Sequence, residues 1–225
     1  MQPRNEGKKL KTVGLSPRAS VMIEAMRDIG YSFETAVADI IDNSIAAKAT
    51  EVDVRFGWTA DSPWIAIVDN GVGMSHDELI EAMRPGSRNP KLERAKDDLG
   101  RFGLGLKTAS FSQCRELVVL TRKEDSESCM CWDLDMVAET DEWSVIELSG
   151  TQVQDLPCIS SMPRVGTLVL WRKIDRLDLT GLGTQGHSAL NELMDGVRQH
   201  VARIFHRFLA VKTREILWPL LEQVG

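Results

Sequence analysis

The sequence has little of what would staple or anchor a chain. Four cysteines occur in 225 residues, Cys114, Cys129, Cys131 and Cys158, with no Cys-x-x-Cys spacing and no paired histidines beside them. That argues against zinc and against a disulfide framework, and leaves reduced thiols as the expectation. No apolar run approaches the roughly 20 residues that cross a bilayer, and the opening MQPRNEGKKLKTVGLSP carries charge without a following apolar segment. A cytoplasmic protein with no membrane contact is expected. Internal repeats and low-complexity tracts are absent. So is a basic surplus: 27 Lys and Arg against 33 Asp and Glu leave a net charge of −6. That speaks against a general nucleic-acid coat but not against local patches.

What is present is an ordinary globular composition, 43% hydrophobic and 27% charged, at a length suited to one large or two small domains. Its charge is uneven. Residues 124–149 hold nine acids and no Lys or Arg, 84–107 hold seven basic residues against three acids, and 198–214 hold five basic residues and no acid. Each run is either a solvated face or a partner surface.

Periodicity and punctuation place the elements. Residues 1–15 are expected to be flexible. Ser16-Pro17 reads as an N-cap with Pro in the first helical position, ahead of a stripe of Val21, Met22, Ala25, Met26 and Ile29. A second helix is expected over 33–47, with Val37, Ile40, Ile41 and Ile45 facing a core. Alternation over 51–58 predicts a half-buried strand, and the apolar run 64–68 an interior one. Ser75 with Glu78 predicts a capping box at the head of a helix over 75–83. Further strands are expected over 116–122, 128–135, 144–148 and 166–173. After a Gly-rich break at 180–186, Leu190, Leu193, Met194, Val197, Val201, Ile204, Phe205 and Phe208 keep helical spacing.

Three segments carry chemistry. Asp39 and Asn43, four apart, lie about 40° from each other around a helix, with Asp42 beside them. This is either a solvated face or a water-activating carboxylate next to an oxygen ligand for Mg²⁺. At the end of the apolar strand stands Asp69-Asn70-Gly71-Val72-Gly73-Met74. Asp-Asn-Gly is a generic turn signal, yet two alternate glycines also let backbone approach a flat ligand while Asp69 accepts from an exocyclic amine. The third is Gly100-Arg101-Phe102-Gly103-Leu104-Gly105-Leu106-Lys107-Thr108. Glycines at a helix start expose amides to phosphate, and Lys107 adds charge. It is neither a P-loop, since Leu106 precedes the Lys-Thr, nor a dinucleotide fingerprint, since the glycines are ordered G-x-x-G-x-G after a charged loop.

Taken in order with Gly166-Thr167 at the start of a late strand, these segments resemble the four boxes of the GHKL ATPases, the superfamily of gyrase B, heat-shock chaperone ATPases, histidine kinases and MutL. The likeness runs over about 17–175, and ADIIDNSIAA, IAIVDNGVGM and GRFGLGLKTAS are most similar to MORC-like and MutL-like members. It implies the Bergerat fold, an α/β two-layer sandwich whose mixed, mostly antiparallel sheet carries helices on one face. It implies ATP and Mg²⁺ as ligands, with Asn43 on the metal, Asp69 on the adenine amine and Thr167 supporting it. Gly71, Gly73 and Met74 would line the nucleotide, while Gly100, Gly103, Leu104 and Gly105 would meet the phosphates. Lys107 would reach the γ-phosphate and 84–102 would form the ATP lid. It also implies nucleotide-driven homodimerisation, with DNA as a further candidate partner.

One position departs from the pattern. Hydrolytic members place Glu four residues before the Mg²⁺ Asn, where this chain has Asp39, one methylene shorter. Misplacing a catalytic group by about 1 Å can cost on the order of 100-fold, so slow hydrolysis assisted by Asp39 is the expectation. A non-hydrolysing ATP-gated clamp and a histidine-kinase-type phosphotransfer domain are the alternatives. The domain reading is 1–178 for the ATP-binding unit and 179–225 for a helical extension, perceived as the start of a truncated second domain because an apolar tail ends the chain.

Overall fold

The computed structural model describes residues 13–59, 62–86, 105–177, 184–210 and 214–218. The alternating and the continuous apolar runs become the antiparallel pair β1 (Glu51–Thr59) and β2 (Ser62–Asp69). They join β3 (Cys114–Lys123), β4 (Ser126–Asp133), β5 (Ile146–Glu147), β6 (Gly166–Ile174) and β7 (Glu215–Leu217) in one sheet of order β5-β4-β3-β6-β2-β1-β7. Every pairing is antiparallel except that of β7 with β1. The fold is therefore the expected mixed, mostly antiparallel α/β sandwich.

The helices are α1 (Ala19–Arg27), α2 (Phe33–Ala46), α3 (His76–Met83), α4 (Gly105–Phe111), α5 (Leu134–Thr140), α6 (Thr151–Gln154), α7 (Thr184–Ile204) and α8 (His206–Leu209). The period of two along the strands sends Val52, Val54, Ile65, Ile67, Val119 and Trp171 to one face, where residues of α1, α2, α4 and α7 join them in the larger core. The opposite face, including Val68, Val118, Leu120 and Leu168, is not bare. The short α6 and its neighbours Leu156 and Met162 cover it with a smaller cluster.

Several local expectations are corrected. Arg18, not Ser16, is the N-cap of α1, and its side chain makes no capping bond. Of the predicted stripe only Met26 is buried; Val21, Met22 and Ile29 are exposed, and Ala19, Ile23 and Arg27 face inward instead. The helix has apolar residues on both sides, and the choice is made by Arg27, whose guanidinium donates to the Cys114 carbonyl at 2.8 Å and to both oxygens of Asp175. The strand predicted over 128–135 stops at Asp133, whose side chain accepts from Asp135 N–H and caps the unpredicted α5. That expected over 144–148 shrinks to two residues. On α7, α8 and the Phe205 between them, Val197, Val201, Phe205 and Phe208 are buried, but Ile204 is half exposed. Ile216 of β7 closes the β1 end of the core.

The acidic run is not simply solvated. Asp133 and Asp135 both meet Lys173, Asp135 also meets Arg115, Glu127 meets Arg122, and Asp141 meets Arg18. Cations from outside the run, most of them distant in the chain, supply what the run itself lacks. Cys114, Cys129 and Cys131 are buried free thiols, and burial pushes those of Cys129 and Cys131 up to about 12, which makes them unreactive near neutral pH.

Candidate functional site

The site is built where α2 crosses the end of β2. Ser32 caps α2 by accepting from Thr35 N–H at 3.3 Å, so the helix enters in a set register. Its apolar side, Ala36, Val37, Ile40 and Ile41, is buried. The complementary stripe leaves Asp39 half-buried and Asn43 exposed, one turn apart. Asp39 Oδ2 accepts from the Tyr31 hydroxyl at 2.9 Å. Beside it, burial and then the Asp39 charge push the Asp42 carboxyl above its ordinary range. Ser44, the residue after Asn43, points inward and donates to Asp69 Oδ2 at 2.8 Å.

Asp69 ends β2 with 5% of its surface exposed. Its Oδ1 accepts from Gly71 N–H at 2.9 Å, and Thr167, its partner in the β2/β6 register, supplies a backbone hydrogen bond. Burial raises the Asp69 pKa, and the bonds from Gly71, Ser44 and Thr167 oppose that rise. A carboxylate has about four lone-pair sites, so acceptor capacity remains for a ligand donor.

The Asp-Asn-Gly turn is held close from both sides. Asn70 Oδ1 accepts from Thr50 and Glu51 N–H at 2.8 and 3.0 Å, so its side chain serves the turn and the start of β1. Val72 N–H donates to the Ala47 carbonyl at 2.9 Å, and a Cβ on Gly71 would come within 2.8 Å of that same oxygen. Gly73 has φ +63° and its missing Cβ would overlap the Arg122 carbonyl. Met74 N–H donates to Thr121 Oγ1 at 2.8 Å, and Thr121 stands 3.4 Å from Thr167 Oγ1. The tips of β2, β3 and β6 are thus laced to α2 around one carboxylate.

The remaining predicted residues fall differently. Gly105 opens α4, with open space where a Cβ would be. Lys107 is only 1% exposed and its ammonium donates to the Ala82 carbonyl at 2.7 Å, at the end of α3. Gly100, Gly103, Leu104 and all of the predicted lid beyond Gly86 lie outside the described residues.

Three contributors were not among the sequence candidates. Ser44 carried a signal, since a serine inside an apolar helical stretch competes with its own backbone unless it has another acceptor. Tyr31, the one tyrosine in the chain, sits just before a helix cap. Thr121 carried none, being an ordinary β-former in a strand.

As for metals, no group of three or more His, Cys, Asp or Glu among the described residues is arranged to hold one. Asn43 offers an exposed carboxamide that makes no side-chain hydrogen bond to other described residues. That suits a hard cation ligated mostly by phosphate oxygens and water, with one protein oxygen.

Residues 31–164, more than half of the chain, match the family described as Histidine kinase-, DNA gyrase B-, and HSP90-like ATPase. Among curated proteins, the chain is 32% identical over 98 residues to ATPase MORC2B of Mus musculus, covering 42% of this chain and 10% of the relative. It is 29% identical over 90 residues to ATPase morc-1 of Caenorhabditis elegans, 40% of this chain and 10% of that protein. It is also 32% identical over 103 residues to Chaperone protein HtpG of Psychromonas ingrahamii, 40% of this chain and 16% of the relative. The matched stretch thus spans only a small part of each relative's length.

Proposed function

Because the chain belongs to the histidine kinase-, DNA gyrase B- and HSP90-like ATPases, we propose that it binds ATP with Mg²⁺ and hydrolyses it slowly to ADP and phosphate. The observation that carries the reading is Asp69: a buried carboxylate at a strand end, with donors from Ser44, Gly71 and Thr167 and acceptor capacity left over, beside a Gly71 whose missing side chain leaves its Oδ1 uncrowded. That remaining capacity accepts from the adenine amine, and Thr167 stands beside it. Gly71, Gly73 and Met74 line the base, and Asn43 supplies the protein oxygen of the Mg²⁺ shell. The metal, when bound, neutralises phosphate charge.

Asp39, one helical turn before Asn43, takes the proton of the attacking water. Its shorter side chain makes the reaction slow. Gly100, Gly103, Leu104 and Gly105 present amides to the phosphates. Lys107 joins them when its ammonium leaves the Ala82 carbonyl. Closure of 84–102 over the nucleotide drives homodimerisation, and the basic lid is electrostatically matched to a polyphosphate. The exposed Arg198, Arg203 and Arg207 of the C-terminal helices are where DNA would be met, with binding that weakens steeply as salt rises. We place the protein in the cytoplasm, with 1–178 as the nucleotide unit and 179–225 as its helical extension.

Radiolabelled ATP tests the reading. Asp39→Ala lowers phosphate release by at least about 100-fold, to a residual measurable rate, while leaving ATP affinity near that of the parent, and Asn43→Ala and Asp69→Ala each weaken binding. Parent-like binding by both of the latter variants would overturn the site. A phosphorylated protein would point to phosphotransfer instead, and tight binding without turnover to a clamp.

A further inference from the structure

The phenol of Tyr31 touches the one carboxylate to which water activation has been given. We propose that Tyr31 is a positioning residue for Asp39: its hydroxyl, donated to Oδ2 at 2.9 Å, fixes the carboxylate so that Oδ1 is left to take the proton of the attacking water. The proposal rests on Asp39 acting as the base.

Tyr31 is itself held. Its carbonyl accepts from Gln113 Nε2 at 3.2 Å, an amide that also donates to Ser112 Oγ at 2.9 Å, and the Gln113 side chain is buried. The next residue, Ser32, is the cap of α2, so the backbone on both sides of the ring is fixed. The ring packs against the larger core and extends along the first two turns of α2 to Asp39. Thr108 of α4 also lies beside the phenol, and its own hydroxyl faces the Gly105 carbonyl at 3.5 Å.

The physical need is specific. The terminal torsion of a carboxylate is broad and roughly two-fold, and a half-buried one samples that range freely. A single donor on one oxygen removes most of it, and an aspartate has few torsions left to fix. Near-attack geometry repays this, because catalytic groups lose rate steeply when displaced. In the step itself, the water oxygen bonds to the γ-phosphorus and the bond from that phosphorus to the β–γ bridging oxygen breaks. The bridging electron pair leaves with ADP, and the water proton passes to Asp39 Oδ1. Tyr31 keeps its own proton throughout, so it acts only through Asp39.

Tyr31→Phe removes the hydroxyl and keeps the ring. The expected result is a fall in kcat of about tenfold, less than the roughly 10²–10⁴-fold typical of losing a general base because the carboxylate remains, with the ATP dissociation constant and melting temperature close to the parent's. In an Asp39→Ala background the same change costs nothing further, an outcome that a merely structural role would not produce. An unchanged or raised kcat in Tyr31→Phe, or an additional loss in the double variant, overturns the proposal. A parent without turnover, or an Asp39→Ala variant with the parent's turnover, removes instead the assignment of Asp39, and is read without any Tyr31 variant. Should Tyr31→Phe fail to fold, Gln113→Met takes its place, since it frees the Tyr31 carbonyl: a smaller fall in kcat at unchanged ATP affinity supports the proposal, and parent-like kcat overturns it.

Discussion

Ser44 and Asp69 are joined across the site by a 2.8 Å hydrogen bond, with 3% and 5% of their surfaces exposed. This bond ties the middle of α2 to the end of β2. Removing the hydroxyl with Ser44→Ala leaves Asp69 Oδ2 short of a donor in a dry position, a cost of about 1–3 kcal/mol. Urea denaturation is expected to show that loss, and ATP affinity to fall with it because the carboxylate is no longer aimed.

Asp69 also sets a pH dependence. Burial raises its pKa above the ordinary 3.8, so between the two values the folded chain holds a proton that the unfolded chain has lost. Its contribution to stability is therefore greatest below 3.8 and declines as pH rises through the folded-state value, above which the buried charge is carried at full cost. Asp69→Asn removes this slope. The amide can still pair with Ser44 but turns a donor toward the adenine amine, so the variant is expected to fold, to lose the acid-side change in stability, and to bind ATP at least about tenfold more weakly, as one unpaired polar group demands. Denaturation at several pH values and calorimetric titration with ATP check both parts.

Gly73→Ala tests the turn. At φ +63°, with a Cβ that would overlap the Arg122 carbonyl, the substitution adds backbone strain to a steric clash. Each is worth about 1–3 kcal/mol. The melting temperature should drop sharply. Gly105→Ala, where a Cβ meets nothing within 4 Å, is the control expected to fold as the parent does.

Asp141 behaves in the opposite sense to Asp69. Its carboxylate accepts from Ser20 Oγ at 2.7 Å, from Arg18 Nε at 2.7 Å and from Ser20 N–H at 3.0 Å, which lowers its pKa from 3.8 to about 2. It thereby caps the start of α1 from a distant part of the chain, where a negative charge is favoured. The stabilisation is complete above 3.8 and is lost as pH falls through about 2. Carboxyl NMR should show a titration midpoint near 2, and Asp141→Asn should increase amide exchange at the head of α1.

Some of this was written locally. The capping box of Ser75 and Glu78 formed as expected, both of its bonds present, because it needs only residues three apart. The polar stripe of Asp39 and Asn43, the glycine spacing after β2 and the strand character of the alternating and the continuous apolar runs were equally legible. Each is set by the period of a helix or strand. The bond from Ser44 to Asp69 spans 25 residues, and no local rule announces it. The same is true of Thr121 beneath Met74, and of the Lys107 ammonium, which a local motif directs at phosphate and the fold directs at the Ala82 carbonyl. The inner face of α1 was misjudged for a related reason. Its apolar residues occupy two sides, and only a buried arginine with partners at 114 and 175 selects one.

By itself, then, the sequence determined the element types around the candidate site and the glycine-bearing turn, since dihedral preference and hydrophobic period act over a few residues. Only the tertiary structure decided which polar side chains are satisfied by one another. Hydrogen bonding and desolvation depend on what is brought within about 3 Å, and for Asp39, Asp69 and Lys107 that neighbour comes from another element of the fold.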